Sequence, residues 1–354
     1  MRVRFWRRVR FAGPALRTEA GCRGAGDTGR RGPGVTDMST SSTFDLLIER
    51  VTAGDRLAAP EIAELAATPD ILPLGMLADA LRRRLHGTQV TYLRVASCAC
   101  DQSWADPIPP AAREVRITGT PATLDVAVAA SERAKAVAGD RTVSGFNWAD
   151  IERLASTDGA PLSHALETLR RAGLDALADA PLDGSADAAR LVGSLADAGF
   201  RQLRLTIEKA PAADRRALIE HAAALQEQYG CIQAINPLPA LLAPHHLGPG
   251  GDVRGGDPAL HAFRPTTGYD DVKAVAIARL TAPNIPTVQV DWLRYGPKLA
   301  QVTLAFGADD LDSVTATDDE PDGRRRAPLE EVRRNIEAAG FSPAERDGRF
   351  NVVA

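Results

Sequence analysis

The chain has 354 residues, a formal net charge of −4, 25% charged residues and 44% hydrophobic residues. That balance carries no basic footprint for nucleic acid, and no apolar run approaches the ~20 residues of a membrane span. The four cysteines, Cys22, Cys98, Cys100 and Cys231, make no disulfide framework, which fits a reducing cytoplasm.

Residues 1–37 stand apart. They are rich in Arg and Gly, with Arg2, Arg4, Arg7, Arg8 and Arg10 followed by Gly29-Arg30-Arg31-Gly32-Pro33. No apolar segment or cleavage-like site accompanies them, so they read as a disordered extension, or as residues upstream of a start at Met38. Residues 38–88 read as a helical lead-in. Phe44–Val51 is followed by a turn at Ala53-Gly54-Asp55, and Pro60 opens the next helix. Leu74, Leu77, Leu81 and Leu85 then form an apolar stripe.

From residue 89 to 316 strand and helix signals alternate. Strands are expected over 90–96, 115–119, 142–146, 173–178, 201–207, 231–236, around Val288 and Val290, and over 311–314. Helices are expected over 123–138, 148–155, 163–171, 186–197 and 212–229. Strands alternating with helices imply a parallel sheet, and about eight such units imply an α/β fold of the (β/α)₈ barrel type. An open doubly wound sheet is the runner-up. No Gly-x-Gly-x-x-Gly follows an early strand, which weakens its dinucleotide-binding version. Residues 317–354 read as a polar loop, Asp318–Arg326, and a last helix, Leu329–Ala339, ending at Gly340.

The stretch from Phe263 to Ser313 is the most legible. Thr267 is placed to cap a helix with Asp270 at the capping-box position, and Val272, Val275, Ala276 and Leu280 follow the helical period. Pro283 and Pro286 end that helix. Gly296-Pro297 opens another, and Lys298 and Gln301 lie in its first turns, where an anion or plain solvent fits equally well. Asp309, Asp310 and Asp312 are read as a turn that either binds a hydroxyl, holds an arginine such as Arg294, or merely caps. In a barrel the functional groups sit at C-terminal strand ends, which here hold Gly119, Phe146, Asn147, Glu208, Lys209, Asn236, Asp291, Trp292 and Asp309. His245-His246 needs a third ligand, His261 or Asp257, to hold a metal, and a solvated loop explains the pair as well.

The segments GYDDVKAVAIARL, NIPTVQVDW, GPKLAQ and FGADDLD resemble the closing third of the radical SAM enzymes of futalosine-dependent menaquinone synthesis, aminofutalosine synthase above all. The similarity runs from about Phe44 onward and is strongest from Gln233 to Asp347. It implies a radical SAM barrel, a [4Fe–4S] cluster, S-adenosylmethionine, and addition of an adenosyl radical to a carboxyvinyloxy-benzoate with loss of CO₂. The family pattern for the cluster is Cys-x₃-Cys-x₂-Cys after the first strand, three thiolates from one loop.

At that place the chain reads Ser97-Cys98-Ala99-Cys100-Asp101-Gln102-Ser103-Trp104. Counted from Cys100, the partners are Ala96 and Ser103; counted from Cys98, they are Gln102 and Ala105. Neither register supplies three thiolates, so the cluster and S-adenosylmethionine are expected not to be bound. Cys98 and Cys100 stand as a remnant of the cofactor loop, or as two small strand-end residues. The proline-rich run at Pro107, Pro109 and Pro110 leaves no room for the usual following helix. The family's Gly-Gly after the second strand is Gly119-Thr120-Pro121 here. Its Gly-rich turn with a Glu after the fourth is Ala178-Asp179-Ala180-Pro181, and its Gly-His after the fifth is Glu208-Lys209.

Three functions follow as expectations. The first is a non-catalytic homologue of aminofutalosine synthase serving as a binding or scaffolding subunit, beside a menaquinone-pathway enzyme or a second copy of itself. The second is an active enzyme with an unusual cluster. The third is a cluster-free barrel that binds a small aromatic acid or nucleoside through Asn236, Asp291, Arg294, Lys298 and Asp309.

Overall fold

The computed structural model describes residues 40–101, 104, 107–185, 187–241, 263–317 and 328–353. The basic extension, the loop with His245, His246, Asp257 and His261, and the segment 318–326 lie outside the described residues. The lead-in is three helices, α1 (Thr40–Ala53), α2 (Ala59–Ala67) and α3 (Leu72–His86). Leu74, Leu77 and Leu81 of the predicted stripe are buried, while Leu85 is exposed.

Eight strands follow: β1 (Gln89–Ala99), β2 (Glu114–Thr118), β3 (Thr142–Asn147), β4 (Ala176–Pro181), β5 (Leu203–Ile207), β6 (Ile232–Pro237), β7 (Thr287–Asp291) and β8 (Asp310–Thr315). All pair in parallel with their neighbours in chain order, and β1 pairs with both β8 and β2. The sheet is therefore a closed barrel, as the alternation of signals predicts. The outer helices are α4 (Leu124–Ala138), α5 (Trp148–Thr157), α6 (Leu162–Arg171), α7 (Ala188–Asp197), α8 (Arg215–Tyr229), α9 (Gly268–Thr281) and α10 (Trp292–Leu304). Among the described residues none lies between β1 and β2. There the ladder continues directly, with the Cys100 amide donating to the Thr118 carbonyl at 2.8 Å. The core lies between barrel and helices, where Val115, Ile117, Val143, Leu205, Ile235, Val288, Val290 and Leu311 are buried. Each such side chain contributes about 1.5–3 kcal/mol of burial.

Local chemistry sets the helix starts. Thr267 caps α9, and Asp270 returns the bond by accepting from the Thr267 amide at 2.9 Å, closing the predicted capping box. Asp291 caps α10 by accepting from the amides of Leu293 and Arg294 at 2.9 and 2.8 Å. The helix therefore begins at Trp292, one turn before the predicted Gly296-Pro297. Gly296, at φ 72°, breaks it into two pieces, a conformation that an L side chain rarely adopts.

The C-terminus supplies α11 (Pro328–Ala338) and a ninth strand, β9 (Ser342–Glu345), absent from the sequence expectations. β9 pairs with the first half of β1, Gln89–Tyr92, at the N-terminal end of the barrel. The residues after it fold under the barrel floor. The buried Arg346 guanidinium clamps Asp310 with two bonds of 2.6 and 2.7 Å, and it stacks on Phe350. A Cβ on Gly348 would lie 2.5 Å from the Thr142 Cβ, so only glycine lets the tail pass so close to β3.

Candidate functional site

The barrel interior is polar. Arg204 on β5 crosses it to Glu114 on β2, donating to both carboxylate oxygens. Arg116, also on β2, donates to Glu114 at 2.6 Å, to Asp312 on β8 at 3.0 Å and to the Ser313 hydroxyl at 3.0 Å. The Ser144 hydroxyl donates to Glu114 at 2.6 Å. Burial alone would push Glu114 up, but the Arg204 and Arg116 guanidinium groups outweigh it and hold its carboxyl well below the usual range. The same contest leaves Asp312 lowered, by Arg116 and Arg204. Two arginines and two carboxylates thus neutralise one another across the barrel.

Above them, towards the C-terminal strand ends, lies a second layer with surplus negative charge among the described residues. It holds Asp179 on β4, Glu208 just beyond β5 and Asp291 on β7. Burial raises Asp179 from 3.8 to about 6; the charges of Glu208, Asp312 and Asp291 add to the rise, and Arg116 opposes it. Burial and then Asp312 likewise raise Asp291, against the Ser313 hydroxyl that donates to it at 2.7 Å. Glu208 is held by its backbone. The Asp183 carboxylate accepts from the amides of Glu208, Lys209 and Ala210, at 2.9, 2.5 and 2.7 Å for its Oδ2. One aspartate after β4 therefore shapes the loop after β5.

The residues read from sequence separate into two groups. Asn236 is buried on β6 beside Thr206, its register partner, on the inward face that Arg204 and Thr206 share. Asp291 and Arg294 stand at the same rim, with Arg294 4.0 Å from Glu208. Lys298 is exposed, past the Gly296 break. Asp309 is at the other end. It precedes β8, accepts from the Val288 amide at 2.8 Å and pairs with the buried Arg279 of α9. The acidic trio is therefore no turn: Asp310 and Asp312 are strand residues facing the interior, and their arginines are Arg346 and Arg116, not Arg294. Asp179 and Arg116 went unassigned from sequence; an aspartate in an otherwise apolar strand end is the signal that marks Asp179.

Cys98 and Cys100 face away from this interior. Ser97 is the register partner of the inward Arg116, so Cys98, and Cys100 two residues on, take the opposite face. Both thiols are buried, and burial pushes both up, away from thiolate. The Trp104 indole donates to the Ala99 carbonyl at 2.7 Å, and Arg133 of α4 donates to that of Cys100 at 2.9 Å, pinning the segment. Cys231 immediately precedes β6, at the N-terminal end of the barrel. Among the described residues no three His, Cys, Asp or Glu side chains gather as a metal site. The donor set does not fit a cluster that requires three thiolates from one loop.

The fold defines the class: a closed parallel (β/α)₈ barrel with a polar interior. Solved structures share it, among them methylornithine synthase (TM-score 0.58, 13% identity, 84% of this chain and 97% of that one) and the [FeFe]-hydrogenase maturase HydG (0.57, 12%, 86% and 76%). Residues 260–354 match the family model described as the CofH/MqnC C-terminal region. The chain is 24% identical to aminodeoxyfutalosine synthase of Thermus thermophilus, over 87% of its own length and 95% of the relative's. It is 23% identical to cyclic dehypoxanthine futalosine synthase of Streptomyces coelicolor, over 87% and 88%. A 5-amino-6-(D-ribitylamino)uracil–L-tyrosine 4-hydroxyphenyl transferase of Archaeoglobus fulgidus is 31% identical, but over only 36% of each chain. Over most of its length the chain is thus similar to enzymes of the futalosine pathway, and its C-terminal quarter matches the CofH/MqnC family model.

Proposed function

We propose that this chain is a non-catalytic relative of aminofutalosine synthase, a cytoplasmic barrel that serves menaquinone synthesis as a binding or scaffolding subunit. One observation carries the reading. The two cysteines of the cluster loop are buried on the outward face of β1, and the third cysteine of the barrel lies at its opposite end. Radical generation from S-adenosylmethionine requires a cluster with three thiolate ligands, and no rotamer change brings these three together. The polar mouth remains built, which supports a binding role after loss of the chemistry. Its partner is then an active pathway enzyme or a second copy of the chain. No described helix is long and apolar enough to cross a membrane.

The test is iron and sulfide content after anaerobic purification and reconstitution. The expected result is no stoichiometric iron and no S-adenosylmethionine cleavage under reduction. About four irons per chain with absorbance near ~400 nm would overturn the reading and restore that of an active enzyme with an unusual cluster. A second reading, a cluster-free ligand-binding barrel, is favoured by Asn236, whose buried Oδ1 has no hydrogen-bond partner.

A further inference from the structure

Among the described residues, the upper layer of the barrel holds more carboxylate than its cations neutralise. Arg116 is fully engaged: its nitrogens go to Glu114, Ser144, Ser313 and Asp312. Arg204 is engaged with Glu114 and stands 3.9 Å from Asp312. Arg294, half-exposed on the rim, only approaches Glu208. Among the described residues no donor reaches the Asp179 carboxylate. Glu208 Oε1 receives one long bond, 3.4 Å from the Thr206 hydroxyl.

Asn236 gives an independent indication. Only 3% of it is exposed, it lies on the inward face of β6 between β5 and β7, and its Oδ1 accepts nothing. A buried acceptor without a donor destabilises the fold unless something supplies the missing bond. The carboxylates want positive charge and the amide oxygen wants an N–H or O–H. The carboxylates are not gathered closely enough to hold a metal ion, so an organic cation fits better. Two of the contributing positions, Asp179 and Glu208, stand where the resemblance implies a Gly-rich turn and a Gly-His pair. The resemblance already implies an acid at the first of these turns; Glu208 stands where it implies none. An aromatic acid, one of the two ligand classes expected from sequence beside a nucleoside, would meet repulsion there.

The geometry points to a binding site for a small protonated amine at the barrel mouth, its ammonium between Asp179 and Glu208 and one N–H donated to Asn236 Oδ1. This rests on the reading that the barrel binds without radical chemistry. Asp291 and Asp312 add to the attraction, and Arg116 keeps the floor of the site neutral.

The test is isothermal titration calorimetry on the full chain with three four-carbon probes: 1,4-diaminobutane, 1,4-butanediol and succinate. The diamine is expected to bind, with the diol and succinate at least about tenfold weaker. Asp179→Asn and Asn236→Ala are each expected to weaken the diamine by about tenfold or more, with circular dichroism confirming the fold. Glu337→Gln, an exposed site on α11, serves as a control and leaves binding unchanged. No diamine binding, equal or tighter succinate binding, or a diamine affinity untouched by both variants would each overturn the proposal. An iron-free chain that ignores the diamine defeats this inference alone, whereas a chain that assembles a cluster defeats the reading beneath it.

Discussion

Glu114 and Asp179 show how one barrel drives two carboxylates in opposite directions. Glu114 is enclosed by two guanidinium groups and is held low, so its contribution to stability is complete above the ordinary carboxylate range. It is lost progressively as pH falls from the ordinary carboxylate range, where the unfolded chain takes up the proton, towards the depressed value at which folded Glu114 protonates. Glu114→Gln leaves Arg204 and Arg116 short of a charge inside the barrel. It is expected to cost about 3–5 kcal/mol in urea denaturation at pH 7. Asp179 runs the other way. Its carboxyl titrates near 6 when folded and near 3.8 when unfolded, so the folded state loses stability as pH rises from 4 to 6. At ~1.4 kcal/mol per pH unit the ceiling is ~3 kcal/mol, and partial exposure lowers it to about 1–2. Asp179→Asn is therefore expected to stabilise the chain by that amount at pH 7.5 and not at pH 4. Equal effects at the two pH values would contradict the assignment. Such a gain is what a binding residue kept at the expense of stability produces.

At the scale of elements, β9 and the tail decide how the barrel floor closes. Closure of β8 on β1 leaves Asp310 buried, where Thr91 donates to it at 2.6 Å and Gln289 at 2.9 Å, but among the described residues only Arg346 pairs with it as a charge. Arg346→Met is expected to cost about 3–5 kcal/mol by leaving Asp310 unpaired. Arg346→Met combined with Asp310→Leu should cost less than the sum of the two single changes, measured by the same denaturation. Removal of residues 341–354 strips β9 from β1 and Phe341 from its stack on Arg82, 4.0 Å from the ring centre. That truncation is expected to abolish cooperative unfolding. The element was hidden from sequence because Ser342-Pro343-Ala344-Glu345 has no apolar alternation and carries a proline, which demotes a strand. The helices fared better, because caps such as Thr267 with Asp270 are local. Asp291 was read as a mouth residue but not as the cap that starts α10 one turn early.

For the whole molecule, the matched region 260–354 contributes α9, β7, α10, β8, α11 and β9. Those elements close the ring and cover its floor. The barrel needs them whatever happens at the mouth, and there the residues depart from the family's motifs. Because β1 pairs with β2, β8 and β9, the first strand is secured only when the last ones arrive. The chain is expected to unfold in one transition, with far-ultraviolet circular dichroism and tryptophan fluorescence coinciding; separated transitions would show that the halves fold independently.

The sequence by itself determined the alternation of strands and helices, the eight units and the shortage of thiols. All three are matters of local period or of counting. Only the tertiary structure decided which end of the barrel each polar residue occupies and which face of its strand it takes. Asp309 and Asp312 are three residues apart, yet one is tied to α9 at the floor and the other meets Arg116 inside. The physical reason is that a strand's register, and with it the direction of every side chain, is fixed by neighbours distant in the chain. Charges as far apart in sequence as Glu114 and Arg204 find each other only after the ring has closed.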